Sequence, residues 1–215
     1  MLPRTLWFIL LSWLTSLGAV NADGSIEGAL VLDQPKPVQT SAGYKPVTKQ
    51  PIVKPEAFVA VVYLESKKAA YPKASGDVIK IAQKGYQFSP SIIAVQTGSK
   101  VLFPNMDEEF HNVFSYSKTK RFDLGRFRRE DDSPAISFDK PGTVKIYCEI
   151  HQHMRCILLV LDTPWFTRTD ERGGFKLSKV PSGDYTLKAF LPSERVIEMP
   201  VEITNGKTTK VELKR

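Results

Sequence analysis

Thr143-Val144-Lys145-Ile146-Tyr147-Cys148-Glu149-Ile150-His151-Gln152-His153-Met154-Arg155-Cys156-Ile157-Leu158-Leu159-Val160-Leu161 contains two strands and the loop that joins them. Val144, Ile146 and Cys148 alternate with Lys145 and Tyr147, so a strand over 143–148 turns the thiol toward the side where the apolar residues lie. Alternation stops after Cys148, and the apolar run 156–161 starts a second strand. The spacing Cys-x-x-His-x-x-Met, over Cys148, His151 and Met154, therefore falls at the end of a strand and on a tight loop.

Outward from this stretch the same signals recur. Short β-rich runs separated by Gly, Pro, Asn and Asp predict strands over 26–32, 58–64, 78–82, 92–95, 100–103, 112–115 and 135–138. Beyond the ligand loop they predict strands over 175–177, 185–190, 196–199, 201–204 and 208–213. No long segment after residue 22 keeps an apolar i, i+3, i+4 rhythm, so helix should be minor and the fold all-β, a sandwich or barrel. Residues 33–57 carry Pro35, Pro37, Pro46, Pro51 and Pro55 among lysines and read as an extended connection. Asp162-Thr163-Pro164 divides the chain, and Asp170-Glu171-Arg172-Gly173-Gly174 and Pro181-Ser182-Gly183-Asp184 are turns bracketing later strands. The run from Lys118 to Arg129 mixes basic and aromatic residues and reads as a solvated, partly packed loop.

His111, on a separate strand upstream, completes a donor set with Cys148, His151 and Met154. A thiolate and two imidazoles in a plane, with a weak axial thioether, suit copper cycling between its cuprous and cupric states. Met154 alone would be core filler, but its place three residues after His151 reverses that balance. His153 reads as a solvent-facing loop residue, the plane being already filled. The same ligands would also bind zinc, which we read as mismetallation. A Cys148–Cys156 disulfide is the ordinary use of the two cysteines of an exported chain. The complete ligand set outweighs it and leaves Cys156 as a small buried hydrophobe. No carboxylate pair, Ser-His-Asp order or phosphate-cradling glycine loop is visible, so the chain does not read as an enzyme.

With these residues in view, the chain resembles the cupredoxin family, and within it the plastocyanin/amicyanin-like blue-copper group. The resemblance runs over about residues 77–161, through Tyr86-Gln87-Phe88-Ser89-Pro90, Val95-Gln96-Thr97-Gly98-Ser99-Lys100-Val101, Phe103-Pro104-Asn105, Phe110-His111-Asn112-Val113 and Phe138-Asp139-Lys140-Pro141-Gly142-Thr143 to the ligand loop. It implies a Greek-key β-sandwich, one mononuclear copper per chain, electron transfer, and an Asn112 side chain bonding across the site to hold the ligand loops. Gln152 stands where a proline commonly follows the loop histidine, and His153 replaces an apolar residue, making the exposed end less hydrophobic. Residues 163–215, from Thr169 through Leu187, resemble carboxypeptidase regulatory-like (transthyretin-like) β-sandwich modules. Residues 23–66 look like that module's opening strands, so the expectation is a second small β-sandwich built from both ends with the cupredoxin unit inserted. Some methylamine-utilisation-type periplasmic proteins are built in this way.

Residues 1–22 read as a cleaved signal peptide: Arg4, an apolar run from Leu6 to Leu17, and Val20-Asn21-Ala22 before Asp23. A retained membrane anchor is the competing reading, but the run is short for a span and no later segment is apolar enough, so no stable membrane insertion is expected after cleavage. Cleavage removes Arg4 and no acid, taking the formal charge from +7 to +6. The expected location is the periplasm, and the expected partners are redox proteins, an acidic one suiting this charge. Export argues against nucleic acid. A copper-delivery protein, or a structural or carbohydrate-binding module with a vestigial site, are the competing functions.

Overall fold

The computed structural model describes residues 23–32, 56–68, 70–129 and 133–214. The signal expected at 1–22, most of the proline-rich stretch 33–57 and Glu130-Asp131-Asp132 lie outside the described residues.

Every regular element among them is a strand: β1 (Gly24–Leu30), β2 (Val61–Glu65), β3 (Val78–Lys80), β4 (Ala82–Gln83), β5 (Phe88–Ser89), β6 (Ile92–Gln96), β7 (Ser99–Leu102), β8 (His111–Tyr116) and β9 (Arg121–Phe127). They continue with β10 (Ile136–Phe138), β11 (Gly142–Tyr147), β12 (Arg155–Leu161), β13 (Phe166–Arg168), β14 (Gly174–Val180), β15 (Gly183–Phe190), β16 (Val196–Ile203) and β17 (Thr208–Leu213). The fold is all-β, as the absence of helical periodicity predicted.

Four sheets stack through three apolar layers. The outermost, β10-β7-β3, faces the sheet β6-β12-β11-β8-β9 across a core that includes Phe88, Phe103, Phe138, Ile146 and Leu158. A second sandwich, β13-β2-β15-β16 over β14-β1-β17, closes on Ile26, Leu64, Leu187 and Ile203. Between the two sandwiches lie Val59, Val61, Tyr63, Ile92, Ala94, Leu159, Leu161 and Phe190.

The unbroken apolar run of β12 follows from this stacking. Cys156, Leu158 and Val160 enter the first core, while Leu159 and Leu161 face the second sandwich. A strand buried on both faces needs no polar alternation. The same holds for β2, whose Val62 and Leu64 face one layer and Val61 and Tyr63 the other.

Three strand expectations change. The run read as a solvated loop is strand β9, antiparallel to β8, with Phe122 and Leu124 packed on the first core and Phe127 buried. Its alternation is interrupted at Gly125 (φ 70°), where the register with β8 shifts, and that bulge brings Phe127 rather than Arg126 inward. The runs 196–199 and 201–204 form one strand, β16, through Pro200. Proline is tolerated there because β16 is a sheet edge, where its missing N–H breaks no ladder. The run 78–82 divides into β3 and the start of β4 around buried Ile81.

The turn at Asp170 is as read from the sequence: its Oδ1 accepts the N–H groups of Arg172 and Gly174, each at 2.8 Å. Gly173 (φ +84°) approaches Leu30 so closely that a Cβ would lie 1.8 Å from its carbonyl oxygen.

Candidate metal centre

The sheet β6-β12-β11-β8-β9 places the four predicted ligands at one end. His111 begins β8, Cys148 follows the last residue of β11, His151 sits on the loop, and Met154 directly precedes β12. All four are buried: His111 and Met154 fully, Cys148 at 3% exposure and His151 at 7%. The loop is tight because the Met154 N–H donates to the His151 carbonyl at 2.9 Å and the Cys148 N–H reaches the Met154 carbonyl at 3.4 Å.

The structure gathers one nitrogen each of His111 and His151 and the Cys148 sulfur within 4.8 Å of one another. The two Nδ1 atoms are 3.0 Å apart, and His151 Nδ1 is 3.9 Å from the Cys148 Sγ. Met154 belongs to the same buried cluster as Cys148. Around this centre the backbone N–H of Asn112 points at the sulfur at 3.5 Å. The Tyr86 ring stands edge-on to both imidazoles, at centroid distances of 5.9 Å from His111 and 5.0 Å from His151.

Electrostatics prepare the thiol. Burial pushes Cys148 upward, but hydrogen bonding to His111 and to the N–H groups of Asn112, His151 and Ile150 outweighs it and holds the thiol below its ordinary value. Burial lowers His111, yet Cys148 and Asp107 raise it more, so the net shift is upward. His151 is lowered, by burial first and then by the charges of His111 and His153.

Two imidazole nitrogens and a low-lying thiol, converging in a buried pocket, fit a soft or borderline transition metal. His111 Nε2 is 3.0 Å from Asp107 Oδ2, and a proton held there leaves the Nδ1 lone pair directed at the centre.

Both cysteines are free, and the Cys156 thiol lies 3.4 Å from the Pro90 carbonyl oxygen. His153 is exposed on the loop, its ring 6.2 Å from that of His151. The Asn112 side chain does not hold the ligand loop. Its Nδ2 donates to Asp123 Oδ1 at 2.7 Å and to the Gly125 carbonyl at 3.1 Å, fastening the β9 bulge, while its Oδ1 is buried without a partner. Phe110 and Ile150, which adjoin His111 and His151 in the chain, are exposed at 48% and 39%, and Met106 at 46%. Sequence reasoning missed Asp107 as a site residue; its place four residues before His111 is visible in the chain but carries no signal until the segment between them folds back.

No family model and no curated protein matches the chain. Among solved structures it is similar to a Cu-containing nitrite reductase (NirK) from Thermus scotoductus SA-01, at 23% identity and TM-score 0.36, over 43% of this chain and 23% of that one. It is similar to amicyanin from Paracoccus versutus at 19% identity and TM-score 0.36, over 46% of this chain and 96% of that one. A purple cupredoxin from Nitrosopumilus maritimus is similar at 21% identity and TM-score 0.34, over 38% of this chain and 98% of that one. At these identities and scores, what the chain does must be read from its own strands and side chains.

Proposed function

We propose that the chain is a type 1 (blue) copper protein, exported to the periplasm, that carries single electrons between partner proteins and catalyses no reaction itself. His111, Cys148 and His151 would hold the copper, with Met154 as a weaker thioether donor. The observation that carries this reading is the convergence of two imidazole Nδ1 atoms and a thiol, all buried, on one point. One bound copper would supply the one-electron couple. The chain supplies the rest: His111 held from behind, the loop held by its own backbone bonds, and the sulfur fixed on a strand end. Donors held in this way move little when the charge at the centre changes, which keeps electron transfer fast.

Exposed Phe110 and Ile150, the chain neighbours of His111 and His151, with the Arg128 guanidinium 5.3 Å above the Phe110 ring, support docking of an acidic redox protein. Strands from both chain ends in the second sandwich support reading residues 23–66 and 163–215 as one carboxypeptidase regulatory-like module carrying the unit at 77–161.

The test is a visible and EPR spectrum of the copper-loaded protein, with Cys148→Ser alongside. The expected result is an intense thiolate-to-copper band that the serine variant loses while the histidines still hold metal. A strong band persisting in Cys148→Ser removes Cys148 from the site. Rapid loss of the reduced metal to a mild chelator would favour copper delivery over electron transfer.

A further inference from the structure

The Asp107 carboxylate collects three N–H groups from two different segments. Its Oδ2 lies 3.0 Å from His111 Nε2 and 3.0 Å from the Tyr86 N–H, and its Oδ1 accepts the Gly85 N–H at 2.7 Å. Tyr86 is in the left-handed region (φ 59°), strained for a bulky residue, so its turn needs an anchor. Asp107 is itself held, because its N–H donates to Asn105 Oδ1 at 2.9 Å. Asn105 is 3% exposed, and its Nδ2 donates to the carbonyls of Phe127 and Glu109 at 3.0 and 2.8 Å. A chain of bonds therefore runs from the end of β9 through Asn105 and Asp107 to His111, and branches to the turn whose Tyr86 ring stands against both imidazoles.

We propose that Asp107 is the positioning residue of this site, fixing His111 in the Nε2-protonated tautomer and, through the Gly85-Tyr86 turn, setting the ring that walls the histidine pair. The proposal rests on His111 being a metal ligand for its effect on metal, but not for its effect on the tautomer. An accepting carboxylate makes the opposite ring nitrogen a better donor and favours the more highly charged oxidised metal. Asparagine cannot substitute, since three N–H groups converge and an amide offers only one accepting oxygen.

Two measurements on the full chain test this. In metal-free protein, long-range proton–nitrogen NMR should show His111 protonated at Nε2, and Asp107→Asn should turn that signal into a mixture of tautomers while His153 is unchanged. A wild-type His111 protonated at Nδ1, or an unaltered tautomer in the variant, overturns the proposal; the wild-type measurement stands even if the variant does not fold. In copper-loaded protein, Asp107→Asn should weaken cupric binding by about 10–100-fold. A cupric loss tenfold greater than the cuprous loss appears as a rise of about 59 mV in reduction potential. Unchanged affinity and potential, with the wild-type band present, would also overturn it. If wild-type protein never develops the band, the copper reading fails, and the tautomer measurement still decides the role of Asp107.

Discussion

In the proposed copper site, Met154 is the side chain on which tuning would rest. It is fully buried and closes the loop through its N–H bond to His151. A weak thioether stabilises the oxidised metal slightly, while thiolate and imidazoles supply most of the binding. Met154→Leu is therefore expected to keep the blue band and raise the reduction potential, and Met154→Gln, with a harder oxygen donor, to lower it. His153 is exposed, precedes Met154 in the chain and has its ring 6.2 Å from that of His151, so potentiometry belongs on Met154→Leu with and without His153→Ala, to test whether its imidazole replaces the thioether. A double variant with the wild-type potential and spectrum would show that Met154 is not the axial ligand. The grouping of His111, Cys148 and His151 could be read from the sequence because coordination chemistry restricts both donor type and spacing. Asp107 could not, because a carboxylate four residues before a histidine has no meaning until the chain between them is folded back. The partner of Asn112 was misassigned for a related reason: the β9 bulge that receives its amide group is invisible without the register.

Among the elements, β9 was hidden by its single bulge, since one extra residue at Gly125 puts alternation out of phase and charged neighbours make the remainder look solvated. The runs of β11 and β12 were plain because burial, on one face or both, leaves its period in the sequence. The segment entering β2 and the turn between β5 and β6 are tied by Glu56, whose carboxylate accepts the Ser89 hydroxyl at 2.6 Å and the Ser91 N–H at 2.7 Å. Burial pushes this carboxyl upward, but the bonds to Ser89 and Ser91 and the charge of Arg168 outweigh it, so its folded value lies below the ordinary one. A depressed carboxyl stabilises the fold fully above its unfolded value of about 4.3, and that stability is lost as pH falls through the lower folded value. Glu56→Gln is expected to cost roughly 1–3 kcal/mol near neutrality. Urea titrations at neutral and acid pH should show the difference from wild type shrinking on acidification; a difference that grows would refute the assignment.

At the scale of the molecule, the apolar layer between the sandwiches is continuous with strands that also build the two cores. Nothing in the sequence announced this layer, because the residues forming it, such as Leu159 and Val61, are indistinguishable from core residues until the sheets are stacked. The two sandwiches should therefore unfold together. In protein lacking residues 1–22, Trp165 is the sole tryptophan and packs against the second core, while the copper–thiolate band expected of the proposed site would report on the first. Fluorescence and absorbance should give coincident denaturant transitions, and separated midpoints would show that the intervening layer does not couple the sandwiches.

The parallel pairing of β1 with β17, from Ser25↔Thr208 to Leu30↔Leu213, has a mechanical consequence. Because these strands run in the same direction, the chain enters at one end of their ladder and leaves at the other. Tension applied between the termini therefore loads the ladder in shear, and its bonds must give way together instead of opening one by one. A protein tethered through one terminus and pulled through the other would resist with the whole length of that ladder before either sandwich opened.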